Sequence, residues 1–381
     1  MLIETDEALA RFCEELRGEP AIFLDTEFVG EGRYYPEVGA IQVASPTQAA
    51  VIDPLAVTDL APLLALLADP TVEKVFHAAS QDLPIFFRLM GSPVRTVFDT
   101  QTAAALLGYD EQISFVNLVE RVTGTSLTKS HGFTDWLRRP LSDGQIEYAM
   151  DDVRYLVPVH AKLVSELTER ERMAWAREEF RKLDDERRFV PADPQELYLR
   201  IRGVERIRGQ ALAILRELVA WREETAYAKN IPPGRVARDE VLVELARRPR
   251  QSVKDLHEIR GLAAQQVERF GAGLIEAIKR GATAPRPTPQ RSASLPSALE
   301  PTVDFLMLCL RSLASEQSVA TGMVATRSEL VELALRGEKA DVQLLCGWRR
   351  AAFGDALLAT LQGKATARII PHTRQVHLDW H

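Results

Sequence analysis

The spacing of apolar positions changes along the chain, and each change marks an element. Leu9, Phe12, Cys13 and Leu16 fall at helical spacing, so a first helix is expected over 5–17. The run Ala21-Ile22-Phe23-Leu24 then leads into a strand over 21–28. Segments 39–45 and 49–52, separated by Pro46-Thr47-Gln48, read as a hairpin. A Leu- and Ala-rich helix over 58–68 stops at Asp69-Pro70, and a buried strand follows at 74–77. Residues 81–90 place Leu83, Phe86, Phe87 and Met90 on one helical face. Val97-Phe98 is strand-like and precedes a helix over 102–107. From there to about 186 the period is helical, interrupted at Gly108, Gly124, 129–133 and Pro140. Strands first and interleaved helices afterwards predict an α/β layer structure with a mixed sheet.

Charge-rich residues 181–188, then Pro191 and Pro194, mark a boundary. Residues 195–280 are helical throughout, and 284–296 is a Pro- and Ser-rich linker. Helical spacing resumes over 298–362, with Val303, Leu306, Leu310 and Leu313 in phase. The domain reading is therefore 1–187, 207–284, a linker at 285–297, and 298–381.

Composition adds limits to this picture. A chain of 381 residues suggests two or three domains. No run approaches the 20 or so apolar residues of a membrane span, and the acidic N-terminus does not resemble a signal peptide. Cys13, Cys309 and Cys346 are far apart, which suits a reducing cytoplasm better than a disulfide framework or a zinc site. The net charge of −7 is unevenly spread. Residues 200–281 hold 17 basic and 11 acidic side chains, so that segment carries +6 and the remainder −13. An acidic part joined to a basic part suits a carboxylate-based enzyme with a separate nucleic-acid grip. It suits an ordinary two-domain protein with uneven charge as well.

The chemistry centres on Asp25-Thr26-Glu27. On a strand, Asp25 and Glu27 share a face with Thr26 opposite. Two like charges on one buried face repel unless a cation lies between them, although a strand edge with two solvated acids fits the tripeptide alone. Asp82 stands where a buried strand turns into a helix, and helix capping is its ordinary role there. Tyr148 and Asp152 are one helical turn apart on one face, whereas Asp151 points elsewhere; a core aromatic is the ordinary reading of Tyr148. Together the four acids form an all-oxygen donor set that selects Mg²⁺ or Mn²⁺ over zinc. Four carboxylates exceed what one Mg²⁺ needs and suit two ions that activate a water and clamp a scissile phosphate. Asp25, central on its strand, is the candidate bridging ligand.

Leu24-Asp-Thr-Glu-Phe28, His77-Ala-Ala-Ser-Gln-Asp-Leu83 and Tyr148-Ala-Met-Asp-Asp-Val-Arg-Tyr-Leu156 resemble the three motifs of the DEDD superfamily of 3′–5′ exonucleases, in its tyrosine subclass. Leu127-Thr-Lys129-Ser and Asp135-Trp-Leu-Arg-Arg-Pro-Leu-Ser142 resemble the segment before the third motif in the ribonuclease D family. The resemblance covers roughly residues 1–185. It implies an RNase H-like fold and stepwise release of 5′-mononucleotides with two divalent metals. Asp25, Glu27, Asp82 and Asp152 match the metal ligands, and Tyr148 matches the residue at the attacking water. Gln81 stands where relatives commonly carry an acid, a change that removes no ligand. His77 is read as structural, and His131 is set aside because Tyr148 already stands one turn before Asp152.

Residues 210–280 resemble an HRDC domain through Leu218-Val-Ala-Trp-Arg-Glu-Glu224, Asn230-Ile-Pro-Pro233, Leu242, Leu245-Ala246, Pro249 and Leu256 to Gly261. A second, degenerate copy over 298–362 rests on Leu330-Val-Glu-Leu333. Arg235, Arg238, Arg247, Arg248 and Lys254 are candidate phosphate contacts or, equally, a solvated helical surface. Phe28, Tyr34 and Tyr35 are candidates to stack on terminal bases or to sit in the core. The resemblance favours RNA, with tRNA precursors as substrates. DNA hydrolysis and a noncatalytic binding protein are the alternatives. A cytoplasmic monomer with no membrane or protein partner is expected.

Overall fold

The computed structural model describes residues 1–127, 134–288 and 295–381. The chain forms two compact units. The first comprises Met1–Phe28, Val38–Phe189 and Leu295–His381; the second comprises Val29–Glu37 and Val190–Ser294.

In the first unit, β1 (Leu2–Ile3), β2 (Ala21–Val29), β3 (Glu37–Ala44), β4 (Ala49–Ile52), β5 (Glu73–Phe76) and β6 (Val97–Asp99) form one sheet in the order β1-β4-β3-β2-β5-β6. β3 and β4 pair antiparallel, Ile41 opposite Ile52, which is the expected hairpin. β1 pairs parallel with β4, and β2, β5 and β6 are parallel, so the sheet is mixed. The two-residue β1 lies below the length at which a period of two can be recognised. Helices α1 (Asp6–Glu15), α2 (Ala61–Ala68), α3 (Leu83–Met90), α4 (Thr100–Leu106), α5 (Phe115–Thr123), α6 (Asp143–Arg154), α7 (Leu156–Glu169) and α8 (Met173–Phe180) complete this part. Sequence-encoded caps set several boundaries. Thr5, Ser114 and Ser142 accept first-turn amides of α1, α5 and α6, and Ser142 with Gln145 closes a capping box.

The second unit contains α9 (Gln210–Lys229), α10 (Pro233–Val236), α11 (Asp239–Arg247), a 3-10 turn (Lys254–Glu258) and α12 (Ala264–Thr283). Its core is built on Leu215, Leu218, Leu242, Leu245, Leu256 and Leu274, all inaccessible to solvent.

Residues 295–381 contain α13 (Glu300–Glu316), α14 (Thr321–Val324), α15 (Arg327–Arg336), a 3-10 turn (Gln343–Leu345), α16 (Gly347–Arg349), a π-helical turn (Arg350–Gly354) and α17 (Asp355–Leu361). An antiparallel hairpin, β7 (Ala365–Ile369) with β8 (Val376–Trp380), ends the chain. The order of a long helix, a one-turn helix, a helix, a 3-10 turn and a closing helical stretch repeats that of the second unit. The one-turn helices end alike, at Ala237 and Ala325 with φ/ψ of −160/139° and −159/153°. Leu-Val-Glu-Leu-Ala then recurs at 242–246 and 330–334.

The sequence reading drew 298–381 apart from the first 187 residues; the structure gives the two segments one continuous apolar core, in which Val303, Leu306, Leu310 and Phe353 join the residues around the sheet. A buried Arg349–Glu179 ion pair with bonds of 2.5 and 3.1 Å, the Trp348 indole donating to Glu179, and Trp175 stacked on Trp348 at 4.8 Å secure this contact. Gly322 permits close approach, because a Cβ there would overlap the Glu111 carboxylate.

Candidate active site

β2 carries the first two acids. Ile22, Phe23 and Leu24 are buried, Asp25 and Glu27 are partly accessible, and Thr26 between them is buried. α6 carries Tyr148 and Asp152 one turn apart, as expected. One carboxylate oxygen each from Asp25, Glu27 and Asp152 lie within 4.8 Å of one another. Asp151 points away and sits 3.7 Å from Arg154.

Asp82 is not among the acids whose oxygens converge within 4.8 Å. It occupies the N-cap position of α3 but makes no side-chain cap bond. Its Oδ1 instead accepts a 2.5 Å hydrogen bond from the Thr26 hydroxyl, a buried contact. Thr26 is therefore on the face opposite its neighbours and still belongs to the site. The turn that delivers Asp82 is held by Asp99, whose Oδ2 accepts the Ala79 amide while Oδ1 caps α4 through Gln101 and Thr102. Ala78 within that turn has a left-handed φ of 56°, an uncommon conformation for a residue with a Cβ. Asp99 was not marked by the sequence reading. Its position directly before a helix is an N-cap signature that would have identified it.

Burial and mutual repulsion dominate the electrostatics. Burial, then the charges of Asp152, Asp82 and Glu27, push Asp25 well above the ordinary carboxylate range. Glu27 rises to about 8 from burial and the charges of Asp152 and Asp82. Asp82 and Asp152 each rise to about 7, chiefly from burial. A cluster that resists ionisation in the absence of a counterion fits a divalent cation, whose charge reverses the repulsion. The donors are all hard oxygens, as Mg²⁺ and Mn²⁺ prefer. Tyr148 is hydrogen-bonded to Asp152, and burial together with the adjacent carboxylates raises its phenol above the ordinary value. It therefore remains a neutral donor at physiological pH.

His77 is a framework residue. Its Nδ1 and Nε2 lie 3.0 Å from Thr100 Oγ1 and the Ile113 carbonyl, and burial lowers its pKa to about 4. Lys129 and His131 lie outside the described residues. Phe28 remains partly accessible at the end of β2. In the second unit the Tyr34 hydroxyl donates to Glu223, and the amides of Tyr34 and Tyr35 donate to Asn230 Oδ1. Both rings meet Tyr227 edge-on. Arg235, Arg238, Arg247, Arg248 and Lys254 are all exposed. Arg238 and Arg248 line a cleft with Arg250 and Arg260, which the sequence reading did not single out; Glu240, Glu244 and Glu258 line it too.

Among the described residues, no helix is long and apolar enough to cross a membrane. Residues 1–168 match the family described as 3′-5′ exonuclease, and residues 211–278 match the HRDC domain. The chain is 40% identical to a ribonuclease D of Gluconacetobacter diazotrophicus over 96% of its length and 93% of the relative's. It is 38% identical to that of Nitrobacter hamburgensis over 97% of both. The crystal structure of Escherichia coli RNase D, described as an exoribonuclease involved in structured RNA processing, superposes with a TM-score of 0.86 at 33% identity, covering 95% of this chain and 98% of that one. Metal dependence is a property of these exonucleases, and the acidic cluster on β2 and α6 fits it. The chain belongs to the ribonuclease D family of 3′–5′ exoribonucleases.

Proposed function

We propose that the protein trims RNA from the 3′ end, releasing 5′-mononucleotides, and that tRNA precursors and other structured RNAs are its substrates. The single observation that carries the site assignment is the convergence of Asp25, Glu27 and Asp152, from a strand and a helix distant in sequence, with oxygens within 4.8 Å. Asp25, Glu27 and Asp152 would hold Mg²⁺ or Mn²⁺ directly. Asp82, braced by Thr26, would complete the set. Two bound ions supply a nucleophilic water at neutral pH and charge stabilisation at the scissile phosphate. The chain's own groups position the reactants. The Tyr148 phenol, which stays protonated and is therefore a poor general base, makes a hydrogen bond that orients the water in line with the leaving 3′-oxygen. Water adds to phosphorus, the bond to that oxygen breaks, and the shortened RNA leaves with a 3′-hydroxyl.

The exposed arginines of the HRDC domain would add sequence-independent phosphate contacts. We read 298–362 as a second HRDC-type copy, supported by the repeated element order and the shared Leu-Val-Glu-Leu-Ala. A monomeric, cytoplasmic enzyme is consistent with this reading. The test is incubation of 5′-labelled and 3′-labelled RNA and DNA with Mg²⁺, Mn²⁺ or EDTA. Stepwise shortening of 5′-labelled RNA only when metal is present is the expected result. Equal hydrolysis of DNA would overturn the substrate assignment, and shortening in EDTA would overturn the metal site.

A further inference from the structure

Outside the acidic cluster, a partly buried ion pair lies just before α6, its arginine side chain 25% exposed and its carboxylate 3%. Arg139 and Asp53 form a two-bond ion pair, Nε to Oδ2 at 2.6 Å and Nη2 to Oδ1 at 2.7 Å. Nη2 also donates to the Gly39 carbonyl at 2.6 Å, and Nη1 donates to the Trp136 and Arg138 carbonyls at 2.8 and 3.0 Å. A guanidinium has five N–H donors, and all five are used within the protein. An arginine in a nuclease is ordinarily suspected of gripping phosphate; this one has no donor left for it. Asp53 is 3% exposed at its side chain and also accepts the Leu55 amide. Its carboxyl stays below the ordinary range because the Arg139 and Leu55 bonds outweigh burial.

The group holds the segment before α6 against β3. At Gly39 the approach is so close that a Cβ would lie 2.5 Å from the Trp136 carbonyl oxygen and 2.7 Å from its Cβ. Trp136 is buried there, 2% exposed, with its indole N–H unpartnered among the described residues. Its ring centre lies 6.2 Å from that of Tyr148, tilted by 41°. What the ring contributes at this seat is a wall beside the phenol. Gln145, in the first turn of α6, donates to Thr134 Oγ1 at 3.4 Å and ties the start of the segment to that helix.

We infer that Arg139 and Asp53 are positioning residues for the nuclease reaction: they fix Trp136 over Gly39, and Trp136 fixes the orientation of the Tyr148 ring. This rests on the reading that Tyr148 orients the attacking water. A bidentate arginine is not replaced by lysine, which offers a point charge without the planar fork. Displacing a reacting-site group by about 1 Å costs on the order of 10²-fold in rate.

The test is a double-mutant cycle on the full-length protein with 5′-labelled RNA and saturating Mg²⁺, using Arg139→Lys, Tyr148→Phe and the double variant. Arg139→Lys is expected to lower kcat at least tenfold with KM unchanged, and to have no further effect once Tyr148 is Phe. Trp136→Phe in the same cycle should behave alike, and it carries the test if Arg139→Lys does not fold. Equal losses in both backgrounds would overturn the proposal, since the pair would then act through the fold or the metal site. A change confined to KM, or wild-type kcat for Arg139→Lys, would overturn it as well. A silent Tyr148→Phe would instead remove the role of Tyr148 on which the proposal stands, so the two failures are distinguishable.

Discussion

Asp82 sits at a helix N-cap, where a carboxylate ordinarily accepts first-turn amides, yet it accepts from Thr26 across the strand end. This separates it from the three acids whose oxygens converge, and the separation has a measurable consequence. Asp25→Asn should lower activity by about 10³-fold, the equivalent of about 4 kcal/mol of transition-state stabilisation, and weaken Mn²⁺ binding in calorimetry. Asp82→Asn should weaken Mn²⁺ binding less than Asp25→Asn does; a larger loss at Asp82 would place it among the direct ligands. The raised carboxylates give a second consequence. In the metal-free fold they bind protons more tightly than in the unfolded chain, so their stabilising effect is complete below about pH 4. It is lost as pH rises through about 7 to 8. A cation removes the repulsion that develops there. The increase in Tm on adding Mn²⁺ should therefore grow from pH 6 to pH 8, and a shift that shrinks over that range would contradict the cluster.

At the scale of elements, sequence pattern located most of the architecture because amphipathic period and caps are local properties. The hairpin of β3 and β4, the strands carrying Asp25 and preceding Asp82, and the helical pair Tyr148/Asp152 were all legible for that reason. The unread elements are those whose reasons are not local. The two residues of β1 exist because they pair with β4, and β7 with β8 forms where helical spacing has run out. Thr26, Asp53 and Arg139 were not identified because their partners are 56 and 86 residues away, and spacing carries no information at that range. Long-range packing also explains the union of residues 295–381 with the exonuclease fold. Glu179 there accepts from Arg349 and from the Trp348 indole, while Arg349 donates to the Met323 carbonyl. Truncating Glu179 strands a buried guanidinium. Glu179→Ala should cost about 3–5 kcal/mol in urea unfolding, with the nuclease site otherwise unchanged once the protein is folded.

For the whole molecule, the net charge of −7 is unevenly divided, +6 over 200–281 and −13 over the remainder. A polyanion is repelled by the part that cuts it unless cations are bound there and arginines elsewhere hold the backbone. Affinity should then come largely from counterion release at the HRDC surface, while turnover comes from the acidic site. For single-stranded RNA each phosphate contact contributes about 0.7 to the slope of log affinity against log salt. Replacing Arg238, Arg247 and Arg248 together by Ala should flatten that slope by about 2 while leaving kcat near wild type at saturating RNA. Filter binding from low to moderate KCl measures the first quantity and single-turnover cleavage the second. An unchanged slope would reduce these arginines to an ordinary solvated helix surface. A fall in kcat with an unchanged slope would instead make them part of the chemistry.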